Sequence, residues 1–276
     1  MKRAIVLGGA LAALVVASPA AAQATIGLDA AVFSSYVWRG ITYTNKPVLQ
    51  PDAYVTIPLG KASVTAGGWA NVDLGKYDGS SDISESGGSS AFNVAEFDWW
   101  GEIGIPAGPA TLTAGVTGYI FPNPKSSGGF NSDFNTIEVY GKAALSGPLS
   151  PKVSAYYDVD KIKGLYVEGS VTHGFPIGPK SLNLGALLGW TGGQEAKAGE
   201  LANFANSGLT HLDLSASIGL SAGPLSITPS VHGIFGFDDA THYHSASSVA
   251  TLDTKFKVWG GVTISWSHTG GSAAEE

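Results

Sequence analysis

In SVTAGGWANVD, residues 63–73, polar and apolar side chains take turns. Val64, Ala66, Gly68, Ala70 and Val72 fall on one parity, and Ser63, Thr65, Trp69, Asn71 and Asp73 on the other. A period of two sends successive side chains to opposite faces of an extended strand. The same pattern returns at Leu182, Leu184, Ala186, Leu188 and Trp190, at 212–220, and toward the end at Phe256, Val258, Val262, Ile264 and Trp266. The whole chain then reads as twelve runs: roughly 25–39, 47–58, 62–74, 92–105, 110–121, 135–146, 152–160, 164–175, 181–191, 207–221, 225–237 and 251–267. Most exceed the about 5–6 residues usual in globular strands. They suit a tilted strand crossing a bilayer, which needs about 9–11.

The connections alternate in length. Tight ones at 58–61, 106–109, 147–151, 176–180 and 222–224 share a turn-plus-strand repeat, seen in AGPATLT, IGPKSLN and AGPLSIT. Longer polar segments lie between them, at 40–46, 75–91, 122–134, 192–206 and 238–250, and only 161–163 is short. An even number of strands with short turns at one end and long loops at the other is the layout of an outer-membrane barrel. Charge supports that layout, because no Asp, Glu, Lys or Arg falls on the apolar parity within the runs. The expected fold is all-β: a closed antiparallel transmembrane β-barrel of about 12 strands, with 10–14 compatible with the pattern. A soluble β-sandwich has the same alternation with its faces reversed, since its apolar parity meets a second sheet.

Residues 1–22 have the form of a cleaved signal peptide: Lys2 and Arg3, an apolar stretch, then Ala20-Ala21-Ala22 before Gln23. The barrel would occupy 23–267 and a polar tail 268–276. Export through the Sec pathway to the cell outer membrane follows, with outer-membrane lipid and the barrel assembly machinery as partners. The net charge is −7, which disfavours nucleic acid. Cysteine is absent, so no disulfide forms. Charged residues are only 13% of the chain, while glycine numbers 38.

The polar parity collects the candidate pore-lining residues: Arg39, Asp52, Asp73, Glu96, Asp98, Glu138, Lys142, Asp158, Glu168, Asp213, Asp253, Lys255 and Lys257. Most of the acids fall toward the long-loop end. That pattern suits either an acid-lined passage, whose charged walls focus the field on cations, or a sealed lumen of paired charges. Trp38, Trp99, Trp190 and Trp266 lie near run ends, as an aromatic girdle does. Arg39 is expected at the barrel lip, paired with Asp253 or Asp52, with Trp38 facing lipid beside it.

For metal, the only histidine candidates are His242 and His244 in DDATHYHS, where two His at i, i+2 point the same way. Spacing fixes no third ligand, so a solvated loop competes with that reading. The sequence holds no G-x-S-x-G, P-loop or HExxH motif, and His173 has no serine nucleophile beside it. No enzyme activity and no cofactor are expected.

The stretch SSYVWRGITYTNKPVLQPDAYV resembles the N-terminal signature of the Gcw_chp/TorF-like family of exported bacterial β proteins. The residues that carry the resemblance are Ser35, Tyr36, Trp38, Arg39, Gly40, Ile41, Pro47 and Gln50. Thr42-Tyr43 and Pro51-Asp52 depart from the family's pattern. The closing run KVWGGVTISW resembles a C-terminal sorting signal of outer-membrane proteins, with Trp259 at a usually polar position. The resemblance implies an envelope barrel and transfers no substrate. The expected function is therefore a porin-like channel with an acidic lumen, passing small cationic or neutral polar solutes passively. A structural or adhesive barrel with a plugged lumen is the alternative, and a soluble periplasmic β protein a further one.

Overall fold

The computed structural model describes residues 24–79, 82–84, 91–122, 134–195, 201–242 and 254–270. The expected signal segment, Asp253, His244 and the tail after residue 270 lie outside the described residues. In chain order the strands are β1 (Thr25–Phe33), β2 (Tyr36–Trp38), β3 (Ile41–Thr44), β4 (Val48–Leu59), β5 (Ala62–Asp73), β6 (Asn93–Ala107), β7 (Ala110–Ile120) and β8 (Thr136–Leu145). There follow β9 (Lys152–Asp158), β10 (Leu165–Ile177), β11 (Lys180–Gly192), β12 (Gly208–Ile218), β13 (Leu220–Ala222), β14 (Leu225–Gly236) and β15 (Phe256–Thr269). A 3-10 turn, Asp239–Thr241, precedes β15.

Among the described residues twelve strands form one ring. Each strand from β4 to β12 pairs antiparallel with its sequence neighbour. The β12–β14, β14–β15, β15–β1 and β1–β4 ladders then close the sheet. β13 continues β12 beyond Gly219 and pairs with the same β14. Closure leaves no edge, which hydrocarbon demands because it offers no water to an unpaired backbone group.

The repeated GP segments become nearly identical turns. Gly60, Gly108, Gly178 and Gly223 sit at φ 62, 64, 58 and 61, each followed by one residue before the next strand. Proline is that residue at 109, 179 and 224. Glycine first and a residue of fixed negative φ second is what a two-residue hairpin of the II′ kind requires.

The apolar parity faces out. Leu28, Val139, Leu184, Leu188, Leu214 and Ile264, from five different strands, are each 42–47% exposed. An apolar band of this extent is stable only against lipid, since water would leave it as one large hydrophobic patch. The protein is an outer-membrane-type β-barrel. Trp99 and Trp190 lie on this outer face, at 41% and 40% exposure, and Trp266 shares the parity of Ile264.

One run is cut short. The alternation of 25–39 predicts a single strand, but β1 ends at Phe33, where Ser34 and Ser35 bend the chain. Residues 36–44 form a separate two-stranded hairpin, β2–β3, that contributes no ladder to the ring. Trp38 consequently leaves the girdle and lies inside the barrel, in aromatic contact with the buried Tyr119 at 6.0 Å.

Candidate functional site

The hairpin is short because its turn is tight. Trp38 pairs with Ile41, so Arg39 and Gly40 alone make the reversal. Their φ values are 49 and 83, the positive pair that a type I′ turn needs. Glycine suits position 40 for a second reason: a Cβ there would meet the His211 ring at 2.6 Å. The tip therefore touches β12 while its base leaves β1.

Other contacts spread the hairpin across the lumen. Tyr36 donates its hydroxyl to Glu96 on β6 at 2.8 Å, and Thr44 is 3.4 Å from Asp73 on β5. Lys257 on β15 reaches Thr42 at 3.2 Å. The central anchor is Arg39. Its guanidinium donates from both terminal nitrogens to Glu138 on β8, at 2.8 and 2.6 Å, and Tyr119 donates to the same carboxylate at 2.8 Å. Both side chains of the ion pair are almost wholly enclosed, at 5% and 2% exposure. Burial alone works against the arginine charge, but the Glu138 carboxylate overrides it and holds the guanidinium above its ordinary pKa. The cation is also wrapped by rings: Trp38, Tyr166 and Tyr156 have centroids 4.1, 4.3 and 4.7 Å from it.

Those tyrosines form a row. Tyr140, Tyr156 and Tyr166 oppose one another in register on β8, β9 and β10, with centroids 5.6 and 6.2 Å apart. Phe204, 2% exposed, extends the row from the 201–207 segment by stacking on Tyr166 at 5.9 Å. On the neighbouring loop Lys46 bonds Asp82 at 2.6 Å and lies over Tyr77 at 5.2 Å. Burial, reinforced by Asp73 and Asp82, pushes the Tyr77 phenol up.

The expected partner of Arg39 is thus corrected. It pairs neither at the lip nor with Asp52, because the bend at 34–35 carries it to the far wall, where Glu138 stands. The other candidates divide by environment. Asp73 is fully buried and accepts Ser84 at 2.7 Å, so it ties residues 82–84 to β5. Asp158, equally buried, accepts the amides of Asp160, Ile162 and Lys163 and the hydroxyl of Thr136, which shapes the β9–β10 connection. Lys142 meets Glu102 at 3.0 Å, and Asp213 meets His232 at 3.0 Å. Asp52, Asp98 and Glu168 line the space beneath the hairpin. Lys255 is exposed just before β15. His242 is buried at the end of the 3-10 turn, 3.8 Å from Asp239.

Sequence reasoning missed Glu102 as an ion-pair partner, along with Tyr119, Tyr156, Tyr166 and Trp259 as lumen residues. Trp259 faces inward, stacked on His232 at 4.3 Å and edge-on to Phe33. Its polar parity was the available signal, since an aromatic on that parity belongs to the lumen.

Two cavities flank the hairpin tip. One of about 470 Å³ lies on the loop side among Tyr43, Phe121, Phe134, Ile162, Leu201 and Glu96. One of about 490 Å³ lies toward the turns, bordered by Asp52, Trp69, Asp98, Trp100, Glu102 and Glu168. Trp38 and Tyr119 border both.

A model of the family described as "Bacterial protein of unknown function (Gcw_chp)" matches residues 17–219. The chain belongs to the Gcw_chp family. The matched region of this Gcw_chp chain takes in the hairpin, Glu138 and the tyrosine row. No curated protein matches the sequence. Several solved barrels are similar in shape. An outer-membrane channel from Pseudomonas putida F1 is 11% identical, with 89% of this chain and 96% of that chain covered and a TM-score of 0.49. The translocator domain of the autotransporter NalP from Neisseria meningitidis is 8% identical, covering 88% of each chain, with a TM-score of 0.43. OmpF of Salmonella typhi is 7% identical over 89% of this chain and 97% of that one, with a TM-score of 0.37.

Proposed function

We propose that this Gcw_chp protein is a narrow outer-membrane channel whose lumen is constricted by the β2–β3 hairpin. Small cationic or neutral polar solutes would pass it down their gradients, selected by size and by the field of an acidic wall. The observation that carries the reading is the pair of cavities on either side of Trp38, separated by the hairpin turn and the two ring residues that hold it, Tyr119 and Glu138, rather than by a filled core. The turn-side wall supports it, since Ser63, Thr113, Asn183, Ser217 and Ser265 are small or polar, inward and only half-buried. A passive passage needs no catalytic group.

The hairpin adds no ladder to the ring, so the ring should survive its loss. Planar-bilayer recording of the wild type should give small, cation-preferring events. Replacing 36–44 by a short Gly-Ser connection should raise the unit conductance severalfold. Conductance equal to that of protein-free bilayers in both forms sinks the channel.

The plugged, adhesive barrel has one observation in its favour, the packing of Phe204 onto Tyr166 at the loop-side mouth. It predicts silence in both recordings, with surface binding that is lost when 192–206 is removed.

A further inference from the structure

Five inward side chains oppose one another across five adjacent strands. Asp29 pairs in register with Asp52, Asp52 with Trp69, Trp69 with Asp98, and Asp98 with Tyr119. Like charges directly opposite each other destabilise a sheet unless something lies between them. Asp98 is 9% exposed, yet its Oδ1 has no hydrogen-bond partner, and Oδ1 of Asp52 has none either. A buried carboxylate oxygen without a donor is costly. Both acids border the turn-side cavity of about 490 Å³, within the usual range of small-molecule sites.

The bases nearby are already engaged: Arg39 with Glu138, and Lys142 with Glu102. The cavity therefore faces Asp52 and Asp98 without a side-chain cation for either. Its other walls are aromatic, chiefly Trp69 and Trp100. A bare metal ion is a poor match. The described residues hold no cluster of three or more His, Cys, Asp or Glu arranged for one, and the Trp69 strand runs between the two aspartates. Adjacent strands lie about 4.8 Å apart, so the two aspartate backbones stand about 10 Å apart across Trp69.

We infer that this row is a binding site for a small organic cation, an ammonium or guanidinium group carried on a flat apolar body. The body lies on Trp69, and the N–H groups donate to the Asp98 and Asp52 carboxylates that line the cavity. Charge-assisted hydrogen bonds and ring faces bind such groups together. The barrel already houses one cation this way, the Arg39 guanidinium between Glu138 and three aromatic rings. The inference rests on the channel reading and deepens it by naming the solute class held midway.

The test is calorimetric titration of the full-length barrel, folded in detergent micelles, with phenethylammonium and with its neutral counterpart 2-phenylethanol. The charged probe should bind saturably at one site and the neutral probe should not. Asp98→Asn and Asp52→Asn should each weaken binding about tenfold, the scale of one lost charge-assisted contact. Asp78→Asn, on the exposed loop, should leave it unchanged. Equal binding of the two probes, or wild-type affinity in both lumen variants, overturns the site. Should a lumen variant fail the gel test for a folded barrel, the charged-against-neutral comparison on the wild type decides alone. Binding is read without flux. A barrel that conducts but binds neither probe refutes the site only, and one that binds without conducting refutes the channel only.

Discussion

The two halves of this lumen obey the same parity rule and end up differently. Toward the turns, small polar side chains such as Ser63, Thr113 and Ser217 leave the interior half-open. Toward the loops, Tyr36, Glu96, Glu138, Asp158, Tyr166 and Phe204 are all buried. Ring size cannot be the cause, because the same twelve strands enclose both halves. The difference comes from segments folded into one end, above all the β2–β3 hairpin. The barrel supplies the passage and the inserted hairpin supplies the constriction, so each should respond to its own mutations.

The sharpest way to break that division is to strip the hairpin of its anchor. Glu138→Ala would leave the Arg39 guanidinium enclosed against three rings with no counter-charge. Removing one partner of a buried pair costs about 3–5 kcal/mol. The heat needed to convert the folded to the unfolded band on a gel should fall clearly, and channel noise should rise. A transition at the wild-type temperature would mean that the pair does not hold the lumen shut.

The second test addresses the ring itself. Leu214 faces lipid near the middle of β12, 45% exposed, while its neighbour Ser215 faces the lumen. Leu214→Arg should cost about 2–4 kcal/mol, the range for a cation at mid-bilayer. Ser215→Arg should fold normally and lower cation preference instead. Equal damage from both, measured by the same gel transition, would contradict the assignment of faces.

How much of this was legible beforehand follows the same division. Ring and parity could be read because each strand carries its own alternation, and Gly-Pro turns punctuate it locally. The break after Phe33 could not be read that way. Two serines interrupt the run, and Tyr36, Val37 and Trp38 resume it at once. An arm of three residues is too short to register as a strand. The one local clue was Arg39-Gly40 between two aromatic-rich pieces, a hairpin turn in disguise. Its partner was illegible for another reason: Glu138 lies 99 residues away, and only barrel closure brings the two together. The Asp52–Trp69–Asp98 row sits between these cases. Its members share the inward parity, but their alignment depends on register, which alternation leaves open.

A smaller effect is expected at the turn itself. Gly40→Ala places a methyl group where the His211 ring stands 2.6 Å away, on a backbone at φ 83. A left-handed residue with a side chain costs about 1–2 kcal/mol, so the gel transition should drop by less than for Glu138→Ala. Gly60→Ala shares the positive φ but meets no atom within 4 Å. The excess loss at position 40 therefore measures how tightly the tip is pressed against β12.

The smallest effect compares the two ion pairs directly. Lys142–Glu102 spans 3.0 Å, much like Arg39–Glu138, but its side chains are 28% and 26% exposed rather than 5% and 2%. Water that reaches a pair screens it and rehydrates whichever partner survives, so Glu102→Ala should cost no more than about 1 kcal/mol. Tyr140, which donates to Glu102 at 2.9 Å, would lose its acceptor but borders the turn-side cavity. The folded band should therefore persist nearly to the wild-type temperature, while cation preference falls because a carboxylate has left the wall. If Glu102→Ala proves as damaging as Glu138→Ala, the turn-side half is as closed as the loop-side half. The constriction would then belong to the ring and not to the hairpin.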